Sequence, residues 1–143
     1  MGKVPFPLLF IHRANQTYSY QKNSFSMMNF LEFVSDQYAS VNIEYCFNGF
    51  IFNKIPLIKK LKLRELVTCK VLYGSLSNTN NPDYQSGLFK FPIDINAVPL
   101  TYTLGGQPYI EAGIGVSNIL KIFRVDLVKR FTCLLYTSDA ADE

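Results

Sequence analysis

The sequence predicts an all-β fold, an antiparallel, curved meander of long strands, and three observations lead there. Four segments alternate apolar and polar side chains with period two, the signature of a strand with two unlike faces. The links between these segments differ sharply in length. Charged residues make up only 17% of the chain and aromatics 15%, with 12 Phe and 9 Tyr but no Trp; a soluble domain ordinarily carries about 25% charged residues.

The first segment covers residues 37–51. Ala39, Val41, Ile43, Tyr45, Phe47, Gly49 and Ile51 share one face, and Tyr38, Ser40, Asn42, Glu44, Cys46 and Asn48 share the other. The second covers 63–75, with Val67, Cys69, Val71 and Tyr73 opposite Arg64, Thr68, Lys70 and Gly74; Leu66 and Leu72 are exceptions, and Glu65 stands at the strand's start. In the third, 109–117, Ile110, Ala112, Ile114 and Val116 alternate with Tyr109, Glu111, Gly113, Gly115 and Ser117. Glycines on the polar face make room in a curved or crowded sheet. In the fourth, 123–132, Phe123, Val125, Leu127 and Phe131 oppose Arg124, Asp126, Arg130 and Thr132, while Val128 and Lys129 break the alternation near the end.

The links complete the pattern. Residues 118–122 form a short turn. Residues 52–62 allow a short amphipathic helical turn, limited in length by Pro56. Residues 76–108 form a long polar insertion with a turn-rich Ser77-Asn78-Thr79-Asn80-Asn81-Pro82-Asp83 run and a Gly105-Gly106 pair. A compact soluble domain rarely carries so long an irregular connection. Bacterial barrels have short turns at the periplasmic end and long loops outside. That rule places 118–122 and 52–62 on the periplasmic side, and 13–36 and 76–108 outside.

In hydrocarbon every backbone N–H and C=O needs a partner, so spanning sheets close into barrels with no free edge. The outer face of such a wall is apolar and the lumen is polar. Here the inner face would carry Glu44, Arg64, Lys70, Glu111, Arg124, Asp126 and Arg130, with charges paired across strands. A lumen network of Asp126 with Arg124 or Arg130 is one such expectation. A soluble antiparallel sheet with one face on a core shows the same alternation. The alternative to a barrel wall is therefore a soluble, exported β-rich binding domain. The long insertion and the low charge favour the membrane.

With the segments laid out, the chain resembles the C-terminal domain of a family of Bacteroidota-type outer-membrane proteins. Those proteins begin with a carboxypeptidase-regulatory-like β-sandwich and end in a β-barrel of unknown function. The stretches that carry the resemblance include Val4-Pro5-Phe6-Pro7-Leu8-Leu9, Met28-Asn29-Phe30-Leu31-Glu32-Phe33, and Phe47-Asn48-Gly49-Phe50. The most specific are Ile55-Pro56-Leu57-Ile58-Lys59-Lys60-Leu61-Lys62 and residues 108–126. Together they span most of residues 4–132. The resemblance implies the C-terminal piece of a transmembrane β-barrel, resident in the outer membrane and serving a structural or transport role of unknown substrate. Its partners would be the lipid bilayer and the remainder of its own barrel. The regulatory-like name describes a fold and implies no peptidase activity.

The domain organisation follows. Residues 1–132 are the barrel piece. Residues 133–143, reading CLLYTSDAADE, match a translated sequencing adapter and replace the closing strand. The tail holds three acids and no Lys or Arg, so 14 basic residues face 11 less three, or eight, acidic ones; the net charge rises from +3 to +6. No apolar run approaches the roughly 20 residues of a spanning helix. No signal peptide precedes Val4, because Pro5 and Pro7 interrupt the first apolar stretch. A barrel protein needs one, so Met1 reads as an internal methionine.

Catalytic and binding chemistry finds little footing. His12 is the sole histidine, without a cluster of Cys or acids to complete a zinc site. It reads as a structural or loop residue, and no Ser/His/Asp arrangement stands on it. Gly113-Ile114-Gly115 lacks both the GxGxxG spacing and a P-loop lysine, and lies inside a strand. Cys46 and Cys69 have neither metal nor CxxC spacing. Lys59-Lys60-Leu61-Lys62 reads equally well as a contact to lipid phosphates or as a solvated turn. No basic stripe points to nucleic acid. The expectation is a non-enzyme with no cofactor, no metal, no catalytic residue and no identified small-molecule ligand.

Overall fold

Seven strands organise the chain in a computed structural model that describes residues 4–96 and 98–132. They are β1 (Phe10–Ile11), β2 (Phe33–Ser35), β3 (Gln37–Phe47), β4 (Arg64–Ser75), β5 (Tyr102–Thr103), β6 (Tyr109–Ile119) and β7 (Phe123–Arg130). The fold is all-β. The adapter-like stretch 133–143 lies outside the described residues. Contacts divide the described chain into two compact units, residues 4–40 with 72–109 and residues 41–71 with 110–132.

The four expected long strands are all present, in one sheet ordered β3-β4-β6-β7. The directions follow from the bonds between neighbours. The Asp36 N–H, just before β3, donates to the Ser75 carbonyl at the end of β4, so these two run antiparallel. Along β4 and β6 the partners run in opposite order: Thr68 meets Gly113 and Lys70 meets Glu111. β6 and β7 pair antiparallel, with Glu111 opposite Arg130 and Gly115 opposite Asp126 on one face. On the other face Ala112 lies opposite Lys129 and Ile114 opposite Leu127.

The sheet curls towards its charged face. β3 and β7 are its two edges, separated by about 14 Å if three strand spacings lay flat. Yet Arg124 of β7 reaches Glu44 of β3 at 3.3 Å. A sheet concave on that side brings the two side chains within easy reach of each other.

The turns explain where the strands stop. β3 ends at Phe47 rather than at residue 51, because Gly49 takes a φ of +82° and reverses the chain. The Glu65 carboxylate then accepts the N–H groups of Ile51 and Phe52, at 2.9 and 2.7 Å, fixing the 3-10 turn Phe52–Lys54. Pro56 opens the one-turn helix α1 (Pro56–Lys59) rather than merely limiting it. Its missing N–H costs nothing at the first helical position.

The β6–β7 turn is tight. Leu120 and Lys121 both have positive φ, 51° and 69°, and the Ile122 N–H donates to the Ile119 carbonyl at 3.1 Å. That is the pattern of a type I′ turn, which favours Asn-Gly. Replacing Leu120-Lys121 by Asn-Gly should therefore stabilise the hairpin by about 1 kcal/mol, since left-handed backbone is costly for other residues. A rise in unfolding midpoint with unchanged denaturant slope is the expected reading.

The insertions 13–36 and 76–108, expected as irregular outer loops, instead contribute to a compact unit with its own core. A three-stranded sheet orders β1-β2-β5, with β1–β2 antiparallel and β2–β5 parallel, an exception to the antiparallel expectation. Phe33, Val34 and Ser35 of β2 are all buried. Tyr109, fully buried, receives the edges of Phe25 and Phe33 at ring separations of 5.3 and 5.8 Å. Such edge-to-face pairs add to the burial of apolar area. Leu9, Met28, Leu72 and Leu104 complete the core.

Candidate functional site

The unusual chemistry of this chain lies in its long sheet, where burial and polarity are inverted. On β4 the polar Thr68 and Lys70 are buried, while Val67 and Tyr73 on the other face are exposed. On β6 Glu111 is 1% exposed and Ile114 is 64% exposed. On β7 the residues Phe123, Val125 and Leu127 are exposed, while Arg124, Asp126 and Arg130 are partly covered. Val41, Ile43 and Tyr45 of β3 are exposed too, and among the described residues most of this greasy face stands uncovered, the β3–β4 link alone folding onto part of it. On β4, β6 and β7 the two faces fall where the period-two pattern put them, whereas on the edge strand β3 both faces are exposed.

The charged face is held by pairing. The Lys70 ammonium stands 3.5 Å from the Glu111 carboxylate, with side chains only 6% and 2% exposed. Burying two charges is costly, and their mutual attraction offsets part of that cost. A second group runs from Glu44 through Arg124 to Asp126, with the Arg124 Nε donating to Asp126 at 2.7 Å. The expected Asp126–Arg124 link is present. Arg130 instead donates through Nε to the Thr132 carbonyl at 2.9 Å. The glycines of β6 have the expected reason. A Cβ at Gly113 would stand 2.9 Å from Thr68 Oγ1, and one at Gly115 would strike the Asp126 carboxylate.

Lys129 is the one basic residue at an outward position of β7, opposite Ala112. It lies next to the last residue of the strand, and its ammonium sits 5.9 Å from the Phe131 ring centroid. An end position lets a long side chain carry its charge away from apolar surroundings.

On the apolar face the β3–β4 link folds over β6 and β7 to form an open groove of about 620 Å³. Phe52, Leu63, Ile114, Val116 and Leu127 line it, with Glu65 at its rim side. Sequence reading missed the groove and the Glu65 cap, because both arise from how one link folds back.

His12 and Asp36 belong to the other unit. His12 Nε2 lies 2.9 Å from Ser35 Oγ, both groups buried. Phe10 and Tyr38 pack around the imidazole, and Gly74 leaves room for the Ser35 hydroxyl. The pair is sealed from solvent. Asp36 clasps the 76–108 segment, accepting the Ser77 N–H and hydroxyl and the Asn80 amide. Asn80 in turn accepts the Val4 N–H at 2.9 Å. These partners are 41 and 44 residues from Asp36, beyond the reach of local pattern.

Burial lowers the His12 pKa from 6.5 to about 4. Unfolded His12 takes up a proton below about pH 6.5, whereas the folded residue resists until about pH 4. Stability is therefore complete above pH 6.5 and is lost as pH falls to about 4, by up to about 3 kcal/mol. Asp36 acts lower. Burial raises its pKa, but the Ser77 and Asn80 hydrogen bonds outweigh this and hold it below 3.8. Its contribution is present above the ordinary carboxylate range and fades only as pH falls through the lowered value. Hydrogen exchange at Phe33, Val34 and Ser35 between pH 7.5 and 4 should show the His12 loss, and His12→Gln should flatten it.

Among the described residues no group of three or more His, Cys, Asp or Glu is placed to hold a metal ion. Cys46 and Cys69 are free thiols. No helix among the described residues is long and apolar enough to cross a membrane, which says nothing about crossing with strands.

No curated protein and no solved structure matches the chain. The profile described as "Family of unknown function (DUF5686) C-terminal domain" matches residues 5–85, more than half of the 143 residues. That match takes in β1 to β4 and the link that shapes the groove. The chain belongs to the DUF5686 family of unknown function, as its C-terminal domain.

Proposed function

We propose that this chain is part of the wall of an outer-membrane β-barrel, a structural or transport-related module that performs no catalysis. The carrying observation is the inversion of the long sheet: Lys70 and Glu111 are buried while Ile114 and Leu127 stand exposed. In water that arrangement exposes apolar area and hides charge, both unfavourable. In a bilayer the first penalty reverses, since lipid covers the apolar face, and the charges lie on the lumen side where pairing offsets part of the second.

Strand length supports the same reading. β3, β4 and β6 have 11, 12 and 11 residues, and a tilted strand needs about 9–11 to cross. Curvature towards the charged face is what closure requires. Four strands do not close a barrel, since known barrels begin at about eight. The partners in this reading are the bilayer and the remainder of the same barrel. A Bacteroidota-type origin and an N-terminal regulatory-like sandwich belong to the proposal, as does the adapter origin of residues 133–143.

Fractionation of the full-length protein tests the proposal. It should resist extraction by alkaline carbonate, dissolve in detergent, and migrate faster in unheated than in boiled electrophoresis samples. Recovery in the soluble exported fraction without detergent would contradict it.

A further inference from the structure

We propose that the groove beneath the β3–β4 link seats an acyl chain of a phospholipid, with the headgroup phosphate held by the lysines around it. The inference rests on the barrel-wall reading and adds a specific ligand to it. The groove opens on the apolar face, where that reading puts lipid, and offers about 620 Å³ lined by Phe52, Leu63, Ile114, Val116 and Leu127. A straight apolar chain matches such a lining, which offers little to orient a polar ligand.

Charge marks which end of the lipid lies where. Lys54, Lys62 and Lys121 stand within two residues of groove-lining Phe52, Leu63 and Ile119. Lys59 and Lys60 follow on α1 and its cap. All five are exposed. The acids of this unit are engaged elsewhere. Glu44 and Asp126 pair with Arg124, and Glu111 with Lys70. Glu65 accepts two backbone N–H groups through one oxygen, and its other oxygen is shielded from solvent. Five exposed lysines thus stand on or beside the segments that line an apolar trough, a charge balance complementary to an anionic phospholipid. Exposed Phe50, Ile51 and Leu61 on the same link would lie at the level of the lipid headgroups.

Native mass spectrometry of the delipidated full-length protein in detergent provides the test, with phosphatidylglycerol and phosphatidylcholine of equal chain length as probes. Phosphatidylglycerol should bind more tightly, and Lys54→Gln/Lys60→Gln/Lys121→Gln should weaken it by roughly tenfold at low salt. The three lysines are exposed, so heat stability should not move. Ile114→Trp, which fills the trough, should weaken both lipids alike, while the lysine variant should weaken phosphatidylglycerol more than phosphatidylcholine, whose choline cation already opposes the lysines. Equal binding of the two lipids, or no effect of either variant, in a detergent-dependent protein would overturn the lipid site and leave the wall reading standing. A protein that stays soluble and lipid-free without detergent would overturn both.

Discussion

Lys70→Met is expected to destabilise the protein by about 3–5 kcal/mol, the usual cost of stripping one partner from a buried ion pair. The Glu111 carboxylate would then lose this partner at a site that is almost closed to solvent. Glu111→Leu should cost a similar amount for the converse reason. The double variant Lys70→Met/Glu111→Leu should recover most of the loss, because an apolar pair of similar volume removes both desolvation penalties. Equilibrium unfolding of the full-length protein, read as a double-mutant cycle, gives the coupling. Near-neutral single variants would show that water reaches the pair.

Leu127→Arg is the second large effect. Leu127 is 70% exposed and faces Ile114 across the β6–β7 ladder. On a water-facing surface this change falls within about 0.5 kcal/mol of neutral. At mid-depth on a lipid face it costs about 2–4 kcal/mol. Phe131→Arg, just past the end of β7, should cost about 0–1 kcal/mol. The gradient between the two positions separates a membrane wall from a solvated sheet more sharply than either value alone.

The long strands were legible because their information is local. Val67, Cys69, Val71 and Tyr73 must share a face whatever surrounds them, so period two located β4 and predicted its greasy side. The roles of Gly113 and Gly115 were legible for the same reason, since a strand glycine on a crowded face needs a neighbour to make room for. The unit built from residues 4–40 and 72–109 was not legible. Its strands are two or three residues long, too short for alternation to register. Its closure depends on Asp36 meeting Ser77 and on Tyr109 meeting Phe25, contacts that no local window contains. Phe33-Val34-Ser35 lacks alternation because all three side chains are buried, which reads from sequence as a loop beside a longer strand. The groove escaped notice for another reason. Pro56 read as a limit on a helix, when it starts one and so sets the path of the link across the sheet.

The central claim is that odd and even positions of one strand face different media. Spin labels placed singly at residues 110–117 of β6, in full-length protein reconstituted in bilayers with Cys46 and Cys69 replaced by Ser, test it directly. Labels at 110, 112, 114 and 116 should collide with dissolved oxygen, and those at 111, 113, 115 and 117 should respond to a water-soluble nickel chelate or be shielded from both. Oxygen contact at the odd positions, or chelate access at 114 and 116, would contradict the account.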